Sequence, residues 1–141
     1  MIYITRKLEF CASHRLFNPE YSDEKNAEVF GLCSNPNGHG HNYVLEVTVC
    51  GEVHPETGMV LDLKTLKKLV IDEIIEKVDH KNLNVDVPFL KDVIPTAENL
   101  AIYFWEVLEP KLQSGKLQEL KLYESPRNFV VYRGKSHGRV D

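Results

Sequence analysis

The sequence predicts an α+β domain, a four-stranded antiparallel sheet with two amphipathic helices on one of its faces. Three observations carry that prediction. Apolar residues alternate with polar ones in two stretches near the N-terminus and in two near the C-terminus. Between them they recur at three- and four-residue steps in two longer stretches. Strands that follow one another directly in sequence pair as hairpins, and two amphipathic helices can cover one face of such a sheet. The expected order is strand, strand, helix, helix, strand, strand.

In "IYITRKLEF", Ile2, Ile4, Arg6, Leu8 and Phe10 share one side, which reads as a first strand. From about residue 17 to 37 the chain is polar and rich in turn residues, a length that a compact domain tolerates as a functional loop. "NYVLEVTVCGEV" alternates again, with Tyr43, Leu45, Val47 and Val49 on one side, and "HPETG" ends it with turn residues. From Asp62 the period changes. Leu63, Leu66, Leu69, Val70, Ile74 and Val78 mark the inner face of a helix that Asp62 is placed to cap. A second helix should begin at Thr96, after Pro95, with Leu100, Tyr103, Phe104, Val107 and Leu108 inward and Pro110 near its end. Two last strands, about 117–124 and 128–133, flank the turn "SPR". If the sheet's second face is apolar, it calls for a partner subunit.

A chain of 141 residues without repeats, low-complexity tracts or linkers fits one domain. Its 17 basic residues against 21 acidic ones give no electrostatic footprint for nucleic acid. No stretch approaches the roughly 18 apolar residues of a membrane span, and "MIYITRKLEF" carries charges where a secretory signal would be apolar, so a cytoplasmic location is expected. Cys11, Cys33 and Cys50 are odd in number and lack CxxC spacing, which suits free thiols in a reducing compartment.

The chemistry concentrates in "CSNPNGHGHNY". Residues i and i+2 of a strand project to one side, so His39 and His41 can aim their rings at one point, with Gly40 leaving the space between them free. His14, in "FCASHRLF", follows the first strand, a natural neighbour of the second. Three imidazoles from two adjacent strand ends match a catalytic zinc site with a fourth position open. His54 and His137 read as solvated side chains. Cys33 has two possible tasks: a fourth ligand that would make the metal structural, or a free thiol beside it acting as base or nucleophile. Cys11 and Cys50, within or at the edge of strands, read as small buried hydrophobes. In "EKVDHKNLN", Asp79 can orient His80 only where the helix has ended; the residues alone favour a solvated helix terminus. Glu124 continues the apolar line of Leu120 and Leu122, so it is either half-buried and in need of paired donors or exposed at the strand's end.

Together, "ASHRL", "CSNPNGHGHNY", "TGMVLDL", "DHKNLN", "PTAEN" and "YESP" resemble the 6-pyruvoyltetrahydropterin synthase family over almost the whole chain. The resemblance implies a single tunnelling-fold (T-fold) domain spanning 1–141, assembled through its sheets into a homohexamer of two trimers with sites at subunit interfaces. It implies a zinc ion held by His14, His39 and His41, and 7,8-dihydroneopterin triphosphate as substrate. Cys33 would transfer protons, with Asp79 and His80 of a neighbouring subunit as its partners. Glu124 would anchor the pterin ring, and Thr96 and Glu98 would lie near its pocket, although Thr96 also makes an ordinary helix cap. The reaction eliminates triphosphate and moves hydrogens from side chain to ring, an internal redox change that needs no nicotinamide or flavin. Relatives that make 6-carboxytetrahydropterin for queuosine use the same substrate and zinc but typically place three residues between the cysteine and HGH. The five residues here, Ser34 to Gly38, favour the pyruvoyl type. From another class, a non-catalytic zinc-stabilised binding module would require Cys33 on the metal. The tail "KSHGRVD" runs past the usual family end and is assigned no role.

Overall fold

The structure, a computed structural model, describes residues 1–135; His137 lies outside them. Along the chain run β1 (Ile2–His14), α1 (Asp23–Phe30), β2 (His39–Gly51), α2 (Leu63–Val70), α3 (Glu76–Val78), β3 (Lys81–Asn82), α4 (Ala97–Leu108), β4 (Lys116–Tyr123) and β5 (Phe129–Tyr132). One sheet holds all five strands in the order β3-β1-β2-β4-β5. The α+β class and the four long strands are as expected. The fifth, β3, corrects the four-stranded antiparallel expectation: it lies parallel to β1 at Ala12 and Ser13. Two residues are too few to show a period, so only the path of the chain reveals it.

β1 and β2 pair without a break from Ile2 opposite Gly51 to His14 opposite His39. Tyr43, Leu45, Val47 and Val49 point into the core with no exposure, joined by Leu120 and Leu122 of β4. Leu117 is buried too, although it stands three residues from Leu120, because the β2–β4 register shifts between Thr48 and Val49. The extra residue on β4 restores its phase.

The helices close this face. Asp62 caps α2 by accepting from the Lys64 N–H at 2.8 Å. Leu66, Val70, Ile74 and Val78 are buried in four-residue steps. An ideal α-helix overshoots by about 40° at each such step. A wider π turn at Ile71–Ile75 absorbs the drift before α3. Thr96 caps α4 as expected, its hydroxyl accepting from the Asn99 N–H at 3.2 Å, and Pro110 falls in a 3-10 turn just past the helix.

Two further expectations need correction. The loop of residues 17–37 contains α1 and a 3-10 turn, Gly31–Ser34. Asn26 is the one buried residue of α1 and bonds the Asn18 backbone through both ends of its amide, so polar contacts hold a helix that hydrophobic periodicity could not announce. Cys11 is exposed, not buried, because it faces away from the helices; Cys50 is buried as expected. The helix-free face mixes Tyr3, Val44, Tyr123, Phe129 and Val131 with Thr5, Lys7, Glu9, Glu46, Glu119 and Lys121, so it is not the apolar surface whose burial would demand a partner. No helix among the described residues is long and apolar enough to cross a membrane.

Candidate active site

The β1–β2 register sets His14 directly opposite His39, and the two-residue step brings His41 to the same side. The three ring centroids lie 4.6–5.0 Å apart. One nitrogen from each ring falls within 4.8 Å of the others, an arrangement that could hold a metal ion. His14 is 1% exposed, and its Nδ1 donates to the Pro95 carbonyl at 2.8 Å. That bond fixes the tautomer and leaves the Nε2 lone pair free. The Nε2 atoms of His14 and His41 are buried without a hydrogen-bond partner, a costly state that a shared cation would relieve. The donor set therefore fits zinc.

Electrostatics favour neutral ligands. Burial pushes the His14 imidazole down to about 4, opposed by the Pro95 carbonyl and aided by His39 and His41. Burial also lowers His41, with the Glu124 carboxylate opposing. The Tyr43 hydroxyl lies 3.3 Å from His14 Nδ1, and burial first and Glu124 second push it far above the ordinary phenol range. Gly38 precedes the cluster at φ 73°; a Cβ there would meet the His14 carbonyl oxygen at 3.0 Å, in a backbone region that side chains avoid.

Cys33 is half-buried in the Gly31–Ser34 turn, docked through its carbonyl on the Leu16 N–H at 2.8 Å. It is not part of the ligand cluster, which among the described residues comprises the three histidines. Glu124 follows the buried Leu120 and Leu122 and is itself half-buried. Its carboxylate stands 3.6 Å from His41 Nε2, close enough to act by charge and too far for a hydrogen bond. Thr96 and Glu98 begin α4 just after Pro95, with Glu98 exposed.

Asp79 is extended because the helix has ended at Val78, and it meets His80 Nδ1 at 3.0 Å. The Cys11 backbone N–H donates to the same carboxylate at 2.9 Å and, ahead of the His80 contacts, holds its pKa below the usual range. His80 adopts φ 61°, and its side chain is 81% exposed. The pair is thus formed beside β3 with its imidazole exposed, and it is not part of the three-histidine ligand cluster. A cleft of about 420 Å³ lined by Arg15, Gly38, Asn82, Asn84 and Ile94 adjoins the residues that flank His14 and His39. Sequence reasoning missed the Pro95 carbonyl, the Tyr43 hydroxyl and Arg15. Pro95 and Arg15 sit inside motifs whose other members drew attention, and Tyr43 reads as core from its alternation alone.

A family model described as 6-pyruvoyl tetrahydropterin synthase matches residues 3–135. The chain is 52% identical over 132 residues to a 6-pyruvoyl tetrahydrobiopterin synthase from Pongo abelii, covering 94% of this chain and 91% of the relative. It is 32% identical over 149 residues to a 6-carboxy-5,6,7,8-tetrahydropterin synthase from Rickettsia bellii, covering 92% and 99%. The solved structure of the Caenorhabditis elegans 6-pyruvoyl tetrahydropterin synthase superposes with a TM-score of 0.89 at 43% identity, covering 95% of this chain and 96% of that one.

Proposed function

The chain belongs to the 6-pyruvoyl tetrahydropterin synthase family, and from that premise we propose that it is a zinc-dependent lyase converting 7,8-dihydroneopterin triphosphate to 6-pyruvoyltetrahydropterin, with loss of triphosphate. The observation that carries this reading is the cluster of three histidines with two buried, partnerless Nε2 atoms. Zinc held by His14, His39 and His41 would acidify the C–H bonds next to the substrate's hydroxyl groups and stabilise enolate charge as a Lewis acid. Cys33, outside the cluster, is free to remove a carbon-bound proton. Asp79 holds the His80 ring by its Nδ1 and leaves Nε2 available to exchange protons. Glu124 accepts two parallel N–H bonds from the pterin edge, which supplies the paired donors that its half-buried carboxylate lacks. Thr96 and Glu98 border the pterin pocket.

The outward-facing Asp79–His80 pair supports a site completed across subunits. The outer edges of β1, beyond its two-residue pairing with β3, and of β5 are unpaired among the described residues and offer the contacts for a homohexamer. Location in the cytoplasm is part of the same reading. The exclusion of Cys33 from the ligand cluster counts against a zinc-stabilised binding module.

The deciding experiment incubates the zinc-loaded protein with 7,8-dihydroneopterin triphosphate and identifies the pterin. We expect 6-pyruvoyltetrahydropterin and inorganic triphosphate. A carboxypterin with acetaldehyde would assign the protein to the queuosine branch, and no turnover would reject the synthase reading.

A further inference from the structure

We propose that Asn84 is a positioning residue: by clamping the backbone of Arg15, it holds the metal-binding histidine, the Cys33 turn and the Asp79–His80 pair in one register. The inference rests on the synthase reading for its catalytic consequence, and on hydrogen-bond geometry for the clamp itself.

The segment from Asp79 to Asn84 lies alongside β1 rung by rung. His80 N–H donates to the Cys11 carbonyl at 2.6 Å, Lys81 and Asn82 pair with Ala12 and Ser13, and Leu83 N–H donates to the Ser13 carbonyl at 2.8 Å. Backbone rungs alone do not specify register, since every residue offers the same donor and acceptor. The last rung is different. The Asn84 carboxamide accepts from the Arg15 N–H at 2.7 Å and donates to the Arg15 carbonyl at 2.9 Å, meeting both backbone groups of one residue at once. A side-chain amide at this reach fits one alignment. A slip by one residue would carry Asp79 and His80 about 3.3 Å along β1.

Arg15 passes the constraint on. It follows His14, whose ring is tied to Pro95. Its Nε donates to the Ser34 carbonyl at 2.7 Å, and the next residue, Leu16, donates its N–H to the Cys33 carbonyl at 2.8 Å. One half-buried residue thus touches the strand end that carries a metal ligand, the turn that carries the thiol and the segment that carries the Asp–His pair. Asn84 is itself fixed by the Asn82 side chain, which accepts its N–H at 2.9 Å. If His80 serves a neighbour's site, the clamp acts twice in each site, once through each contributing subunit.

The test compares wild type, Asn84→Ala and Asn84→Asp as full-length, zinc-loaded proteins. It measures steady-state kinetics with 7,8-dihydroneopterin triphosphate, zinc content, and amide hydrogen exchange over residues 11–16 and 79–84. We expect Asn84→Ala to lower kcat at least about tenfold, the scale of a displacement approaching 1 Å, with KM within about threefold and zinc retained. Exchange should quicken in both segments and stay unchanged elsewhere in the sheet. Asn84→Asp keeps the shape of the side chain but sets a carboxylate oxygen, which cannot donate, against the Arg15 carbonyl. It should therefore lower kcat as Asn84→Ala does, whereas a role in packing alone would leave its kcat near wild type. A kcat within about threefold of wild type would overturn the proposal, as would a rise in KM with kcat unchanged, the pattern of a substrate ligand. If Asn84→Ala does not fold, Asn84→Asp alone decides: a kcat at least about tenfold below wild type with zinc retained supports the clamp, and a kcat within about threefold of wild type overturns it. If wild type itself shows no turnover, the synthase reading fails, and hydrogen exchange alone decides the clamp.

Discussion

Replacing His14 by Asn removes a titrating imidazole while its carboxamide nitrogen can still donate to the Pro95 carbonyl, and the structure sets the size of the effect in the metal-free protein. The folded imidazole resists protonation until about pH 4, chiefly because it is buried, whereas in the unfolded state it takes up a proton near pH 6.5. Above 6.5 both states are neutral and the protein keeps its full stability. As pH falls from 6.5 towards 4, the unfolded state binds a proton that the folded one refuses, so unfolding becomes easier by about 1.4 kcal/mol per pH unit and about 3 kcal/mol over the window. With 1% exposure, solvent does little to screen the effect. The measurement is urea unfolding of chelator-treated wild type and His14→Asn at one protein concentration, from pH 7.5 to 4. Wild type should lose about 3 kcal/mol more than the variant, a difference in midpoint on the order of 1–2 M. The remaining described histidines are common to both proteins and largely cancel. Parallel stability–pH curves would show that the His14 ring accepts protons in the fold, and the argument for a preformed neutral ligand would fail.

The separate tasks of metal and thiol predict that His39→Ala or His41→Ala loses zinc, whereas Cys33→Ala keeps it and loses turnover at least about a hundredfold, the usual scale for a positioned acid or base; a zinc-free Cys33→Ala by metal analysis would refute this. Glu124→Gln should weaken binding of substrate and of simple pterins with zinc content unchanged, and calorimetry showing unaltered pterin affinity would leave the carboxylate without a role in the ring pocket. For a site shared between subunits, co-refolding equal amounts of Cys33→Ala and His80→Ala should restore about a quarter of the sites, because each site draws independently on two subunits; activity no higher than either variant alone, in mixed oligomers confirmed by mass, would place both groups in one subunit.

The two long strands that build the site were legible because burial writes a period of two into them. Tyr43 to Val49 alternate in sequence and lose all exposure at every second position. The same alternation aims His39 and His41 together, and the adjacency of β1 and β2 adds His14. The helix from Asp62 and the cap at Thr96 were equally plain, since the first depends on apolar spacing and the second on a side-chain oxygen next to its own helix. Glu124 was marked as unusual by lying on an apolar line, but the sequence left its burial open.

By itself, then, the sequence determined which faces of the main elements are buried and which three imidazoles meet, because both follow from local periodicity and one strand pairing. Tertiary structure decided the rest. α1 is held by the amide of Asn26 and not by an apolar face; β3 is two residues long; Cys11 is exposed because its face of the sheet carries no helix. The tautomer of His14 depends on a carbonyl 81 residues away, and the Asn84 amide meets the Arg15 backbone across 69. Such contacts have no periodic trace, since they arise where the folded backbone brings two distant segments within hydrogen-bond reach.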